Sequence, residues 1–163
     1  MGLFVSKRIN KTLISSPAFT AACNSIYADC QSKAQHAFSG LRRYQLLDAA
    51  VHLHTTLSTT VPLIHRWVSS PPSQAQVDAA LHRLDPHGGW EDLYPNQFRS
   101  FALELFQDAV VCGASSTVIK GVPIGAAGIA GVGIASHAGA GFVGRIIGVY
   151  AVGVVAAVYL NLS

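Results

Sequence analysis

Residues 139–145 read GAGFVGR and satisfy the spacing G-x-G-x-x-G letter for letter. That spacing suits two incompatible folds. In a dinucleotide-binding βαβ unit, the glycines open a turn, let a pyrophosphate approach the backbone and seat a helix on a sheet. In apolar helices, glycines and alanines four apart cut a groove that lets a second helix come close. A dinucleotide site requires a strand before Gly139, a return strand after the helix, and an acid about 20 residues on for the ribose. Nineteen residues follow Gly144, and no acid occurs after Asp108. The helix-packing reading is the one that survives.

Working outward, residues 121–163 repeat the small-residue theme. Ala127, Gly131, Ala135 and Gly139 recur every four residues, as do Ala140, Gly144 and Gly148. So many glycines penalise a helix in water by about 1 kcal/mol each, a cost that lipid removes by denying the backbone a solvated alternative. Residues 121–136 give a helix of about 24 Å and residues 141–161 one of about 31 Å, against a hydrocarbon core of about 30 Å. The expectation is a membrane-inserted helical hairpin turning near 136–141, with Arg145 snorkelling at the turn and Lys120 on the cytosolic side. The competing expectation is a soluble bundle with these helices at its centre.

The amino terminus reads MGLFVSKR. Gly2 and Ser6 match the N-myristoylation pattern M-G-x-x-x-[ST], which needs an unhindered glycine amine and a small hydroxyl side chain further along. One myristoyl chain holds a membrane only marginally. Lys7, Arg8 and Lys11 supply the usual second signal, attraction to the anionic cytosolic leaflet. An acid-free stretch of 28 residues with Ser, Thr and three basic groups also describes a cleaved organellar leader.

Between these ends the periodicity is helical throughout. Ser16-Pro17 starts a helix carrying Phe19, Cys23, Ile26, Cys30, Ala34 and Ala37 to about Phe38, where Gly40 ends it. A second runs from about Tyr44 with Leu47, Ala50, Val51, His54 and Leu57 on one face, and Pro62 interrupts it before Leu63, Ile64, Trp67 and Val68. Ser73 caps a short helix bearing Val77, Ala80, Leu81 and Leu84. Residues 85–96 form the longest loop, and from Pro95 the stripe Phe98, Phe101, Ala102, Leu105, Phe106, Ala109 and Cys112 is the strongest helical pattern of all. The fold class is all-α: a lipidated basic segment 1–15, a helical domain 16–120 and a glycine-rich apolar hairpin 121–163.

Composition agrees. Of 163 residues, 50% are hydrophobic and 12% charged, about half the charge of an ordinary soluble domain, and the mean hydropathy is +0.38. Residues 1–43 hold six basic groups against Asp29 alone, whereas residues 44–120 hold four against seven acids.

No constellation for catalysis stands out. Neither G-x-S-x-G nor a Walker loop occurs, and the basic residues lack a nucleic-acid-binding module around them. His52 and His54 are two apart and face different ways on a helix. His82, Asp85 and His87 are too few for a zinc site. Cys23 and Cys30, seven apart on a helix, stand about 10 Å from each other and cannot bridge, while S-acylation of either stays open. The sequence thus points to a membrane-anchored interaction or scaffold protein. The expectation is a protein in which no catalytic constellation and no small-molecule substrate are identified, without cofactor, metal or nucleic-acid partner, which self-associates or binds other subunits through the glycine faces. The alternative is an organellar membrane accessory subunit with a cleaved transit peptide.

Overall fold

The structure, a computed structural model, describes the backbone of residues 2–135 and the side chains of residues 6–116. Over that range the chain is all-α. Helices α1 (Gly2–Ser15), α2 (Pro17–Lys33), α3 (Leu46–Thr60), α4 (Pro62–Trp67), α5 (Gln74–Leu84) and α6 (Pro95–Ala135) follow one another. A two-residue antiparallel ribbon pairs β1 (Leu41–Arg42) with β2 (Asp92–Leu93), Leu41 opposite Leu93. The chain divides into two units, Met1–Val111 and Cys112–Ser163, and α6 belongs to both.

Local chemistry sets the helix starts. Ser16 Oγ accepts the Phe19 N–H at 3.3 Å with Pro17 in the first turn, satisfying a donor that a helix start otherwise leaves orphaned. At α5 the cap is reciprocal: Ser73 Oγ accepts the Gln76 N–H, and Gln76 Oε1 accepts the Ser73 N–H. Pro62 has no N–H to continue α3, so the chain leaves the helix at Val61 and restarts.

The first expected helix ends earlier than its periodicity implies, at Lys33 rather than near Phe38. Gln35 and His36 then adopt left-handed backbone, φ 52° and 54°, which costs a non-glycine residue about 1–2 kcal/mol. The gain is the reversal that brings Leu41 to Leu93. Gly40 permits it, since a Cβ there would stand 2.7 Å from the Leu93 carbonyl oxygen.

The core of the first unit is apolar throughout; no charged or polar residue among the described ones is buried. α3 contacts α2, α4 and α5 through Leu46, Ala49, Ala50, Leu53 and Leu57. This corrects the expected face by about one residue: Leu47 is half-buried and Val51 is 37% exposed. Both stripes obey helical spacing, and the neighbours choose between them. α6 buries Phe98, Phe101, Ala102, Leu105, Phe106 and Ala109 as expected, while Cys112 is exposed. α1 is a helix whose Ile9 and Leu13 are fully enclosed, so residues 2–15 add a side to the core.

The glycine-rich region begins as a continuation of α6, whose backbone stays helical to Ala135. The expected turn at 136–141 and second arm at 141–161 lie outside the described residues. Among the described residues no helix is long and apolar enough to cross a membrane.

Gly40→Ala drives a methyl group into backbone rather than into a pliable side chain. It is expected to lower stability by about 1–3 kcal/mol, read as a lower urea midpoint, whereas Gly89→Ala, whose added Cβ would find nothing closer than 3.8 Å, leaves the midpoint nearly unchanged.

Candidate functional site

The amino-terminal residues singled out above all lie on α1, and Lys7 and Lys11 share its outward face. Ile9 and Leu13 point into the core, so the helical period turns Lys7, Lys11 and Ile14 outward. Lys7 and Lys11, four apart, are neighbours on the helix surface, and Ile14 beside them is 61% exposed. Gly2 opens the helix, Ser6 is half-buried one turn on, and half-buried Arg8 is engaged within the protein.

An open groove of about 530 Å³ runs between this face and α6. A polar relay forms one wall. Asn10 Nδ2 donates to Gln107 Oε1 at 3.0 Å, and Gln107 Nε2 donates to Ser6 Oγ. The amide of Gln107 is therefore oriented at both ends, and the Ser6 hydroxyl hydrogen is the donor left at the end of the chain. Lys7 and Lys11 have no carboxylate partner among the described residues.

That lack is local. Lys33 lies 3.2 Å from Asp29 and 3.7 Å from Asp48, and its pKa is raised by its hydrogen bond with Asp29. Arg83 reaches Glu104 at 3.0 Å and Asp108 at 3.4 Å. Arg42 Nε stands 2.8 Å from Asp92 Oδ1, a close ion pair too misaligned to form a hydrogen bond, and its guanidinium lies 4.5 Å from the Phe38 ring centroid.

The loop that carries Asp85 and His87 is a structural staple. Asp85 accepts the Gly89 N–H and the Trp90 N–H, each at 2.9 Å, and the Arg43 guanidinium at 2.7 Å. Arg43 also donates to the Trp90 carbonyl. Gly88 supplies the positive φ, 69°, that the turn requires. With its lone pairs so occupied, Asp85 has little left for a metal, and among the described residues no group of three His, Cys, Asp or Glu could hold one. His52 lies beside Asp48, whereas His54 bonds the Val68 carbonyl, so the two histidines do face different ways.

Cys23 and Cys30 are buried, and desolvation pushes the Cys23 thiol up to about 12 and raises that of Cys30. Acylation of either would require opening the core. Of the small residues, Ala127, Gly131 and Ala135 lie on the helical backbone of α6, and Gly139, Ala140, Gly144 and Gly148 lie outside the described residues. Asn10, Ile14 and Gln107 escaped the sequence reading. Ile14 carried a helical-spacing signal from Lys7 and Lys11; Gln107, 97 residues from Asn10, carried none. In comparisons with known proteins, no family model, curated protein or solved structure matches the chain.

Two outcomes follow from these environments. The Trp90 N–H holds the Asp85 carboxyl below its ordinary 3.8, aided by the Gly89 N–H and the Arg43 charge against partial desolvation. A depressed folded-state pKa contributes stability that is complete above the unfolded value and lost as pH falls through the folded one. Denaturation midpoints should therefore drop on acidification below about pH 4, and Asp85→Asn should flatten that acid limb while lowering the midpoint at pH 7. In native buffer, maleimide should add once per chain, at Cys112, with Cys23 and Cys30 reacting only after unfolding; mass spectrometry counts the adducts.

Proposed function

We propose that this chain is a membrane-anchored interaction or scaffold protein that works by binding rather than catalysis. A myristoyl group on Gly2, the cations Lys7, Arg8 and Lys11 against an anionic cytosolic leaflet, and the glycine-rich apolar segment 121–163 hold it in place. The helical unit then stands at the membrane surface, and the small-residue faces join it to copies of itself or to other subunits. The observation that carries the reading is the outward face of α1. Two cations without an acidic partner among the described residues and an exposed isoleucine share a helix that begins at an acylatable glycine, whereas Lys33, Arg42, Arg43 and Arg83 have acidic partners close by.

The competing reading, a cleaved organellar leader, fits less well. Removing even residues 1–15 would take Ile9 and Leu13 out of a closed core, and truncations of that size cost several kcal/mol. Leaders destined for removal have no reason to carry core residues.

The test is expression of the full chain in eukaryotic cells with a clickable myristate analogue, followed by intact mass and carbonate fractionation. The wild type should lose Met1, carry one acyl group and stay in the pellet. Gly2→Ala should lose the label and become more readily extracted by salt. An unacylated amino terminus overturns the anchoring scheme, and a chain beginning beyond residue 15 favours the leader.

A further inference from the structure

We infer that the groove between α1 and α6 is a binding site for the phosphomonoester headgroup of an anionic phospholipid. This rests on the membrane placement proposed above and adds to it a site with a defined chemistry. Lys7 and Lys11 put two ammonium groups on one side of the groove, four residues apart. Like charges at that spacing destabilise a helix slightly, and no carboxylate of the described residues offsets them, so an external anion completes the arrangement.

The third donor is Ser6. Its oxygen is already an acceptor for Gln107, which leaves its hydrogen to donate into the groove. Gln107 sets that polarity: its Oε1 accepts from Asn10 Nδ2 and its Nε2 donates to Ser6 Oγ. Two ammonium groups and one hydroxyl match the three non-bridging oxygens of a phosphomonoester. A phosphodiester such as the serine headgroup offers two, and charge-assisted bonds to phosphate are among the strongest available.

Ile14 selects the source of the phosphate. A soluble phosphate metabolite gains nothing from an isoleucine 61% exposed at the rim. In a bilayer, that side chain and the methylene stems of Lys7 and Lys11 reach the acyl boundary while the ammonium groups stay with the headgroups. Because Ile9 and Leu13 remain in the core, the folded unit itself meets the lipid, with α1 docked.

The experiment uses the full chain carrying Cys112→Ser and Ile14→Cys, labelled with a polarity-sensitive fluorophore; the remaining thiols, Cys23 and Cys30, are buried. It is reconstituted in nanodiscs of phosphatidylcholine alone, with phosphatidylserine, or with phosphatidic acid, the last two matched in surface charge. Phosphatidic acid should shift the emission at about tenfold lower mole fraction than phosphatidylserine, as a third charge-assisted bond implies. Lys7→Gln with Lys11→Gln should abolish the shift, and Ser6→Ala should remove the preference between the two lipids while lowering the thermal midpoint by no more than the loss of one part-buried hydrogen bond. Equal responses to both anionic lipids would overturn the site and leave anchoring by charge standing. A shift produced by glycerol 3-phosphate in buffer would overturn the lipid source. No shift with any bilayer would overturn the site, and the cell fractionation described above judges the anchoring independently.

Discussion

The aromatic edge of α6 is the constraint from which the first unit follows. Phe98, Phe101, Leu105 and Phe106 lie within nine residues, all fully buried, and burial of each is worth about 1.5–3 kcal/mol. No single partner helix can cover so wide a strip. Tyr27 of α2 meets Phe98 with ring centroids 5.8 Å apart. Arg83 of α5 pairs with Glu104, and α1 bonds Gln107. The short helices α3 to α5, with prolines and serines at their boundaries, fold the intervening chain tightly enough for these elements to reach one long helix.

Electrostatics then sort the surface without holding it together. Arg43–Asp85, Arg42–Asp92 and Arg83–Glu104 each link segments more than twenty residues apart, yet partly exposed pairs of this kind are worth about 0–1 kcal/mol. Their larger effect is to neutralise. Asp48, Asp85 and Asp92 take up Lys33, Arg43 and Arg42 of the preceding segment, and among the described residues Lys7 and Lys11 of α1, a helix that contains no acid, are left without an acidic partner. The charge asymmetry along the sequence thus becomes an asymmetry across the surface.

Much of this was legible in advance. Ser16-Pro17, Pro62, Ser73 and Pro95 mark helix starts because capping and the missing proline N–H are local effects, and the Phe98-to-Ala109 stripe is too regular to be anything else. What escaped was decided at long range. α2 stops at Lys33 because Leu41 must meet Leu93, a contact spanning 52 residues that no local window contains. The α3 face slipped by one position because Leu46 and Leu47 are equally apolar. The core role of α1 was hidden because Gly2, Ser6 and the basic cluster match a lipidation signal, while Ile9 and Leu13, spaced by four, are the residues that matter to the fold. Gln107 could not be paired with Ser6 from a sequence that separates them by 101 residues.

The docking of α1 constrains how any membrane attachment at this end must work. A free amphipathic helix anchors itself by sinking its apolar stripe about 5–10 Å into the headgroup boundary. Here that stripe includes Ile9 and Leu13, and withdrawing them would open the core. The docked helix has two cations and one isoleucine to offer; each cation near an anionic surface is worth about 1 kcal/mol, and a single myristoyl chain is marginal by itself. These weak terms reinforce one another because they sit on one rigid element, so that engagement of one raises the effective concentration of the next. Attachment through the amino terminus in the proposed scheme is therefore reversible and weakened by salt, since screening acts on its charged part. Permanent residence would have to come from the almost uncharged segment beyond Lys120, on which salt has no such hold.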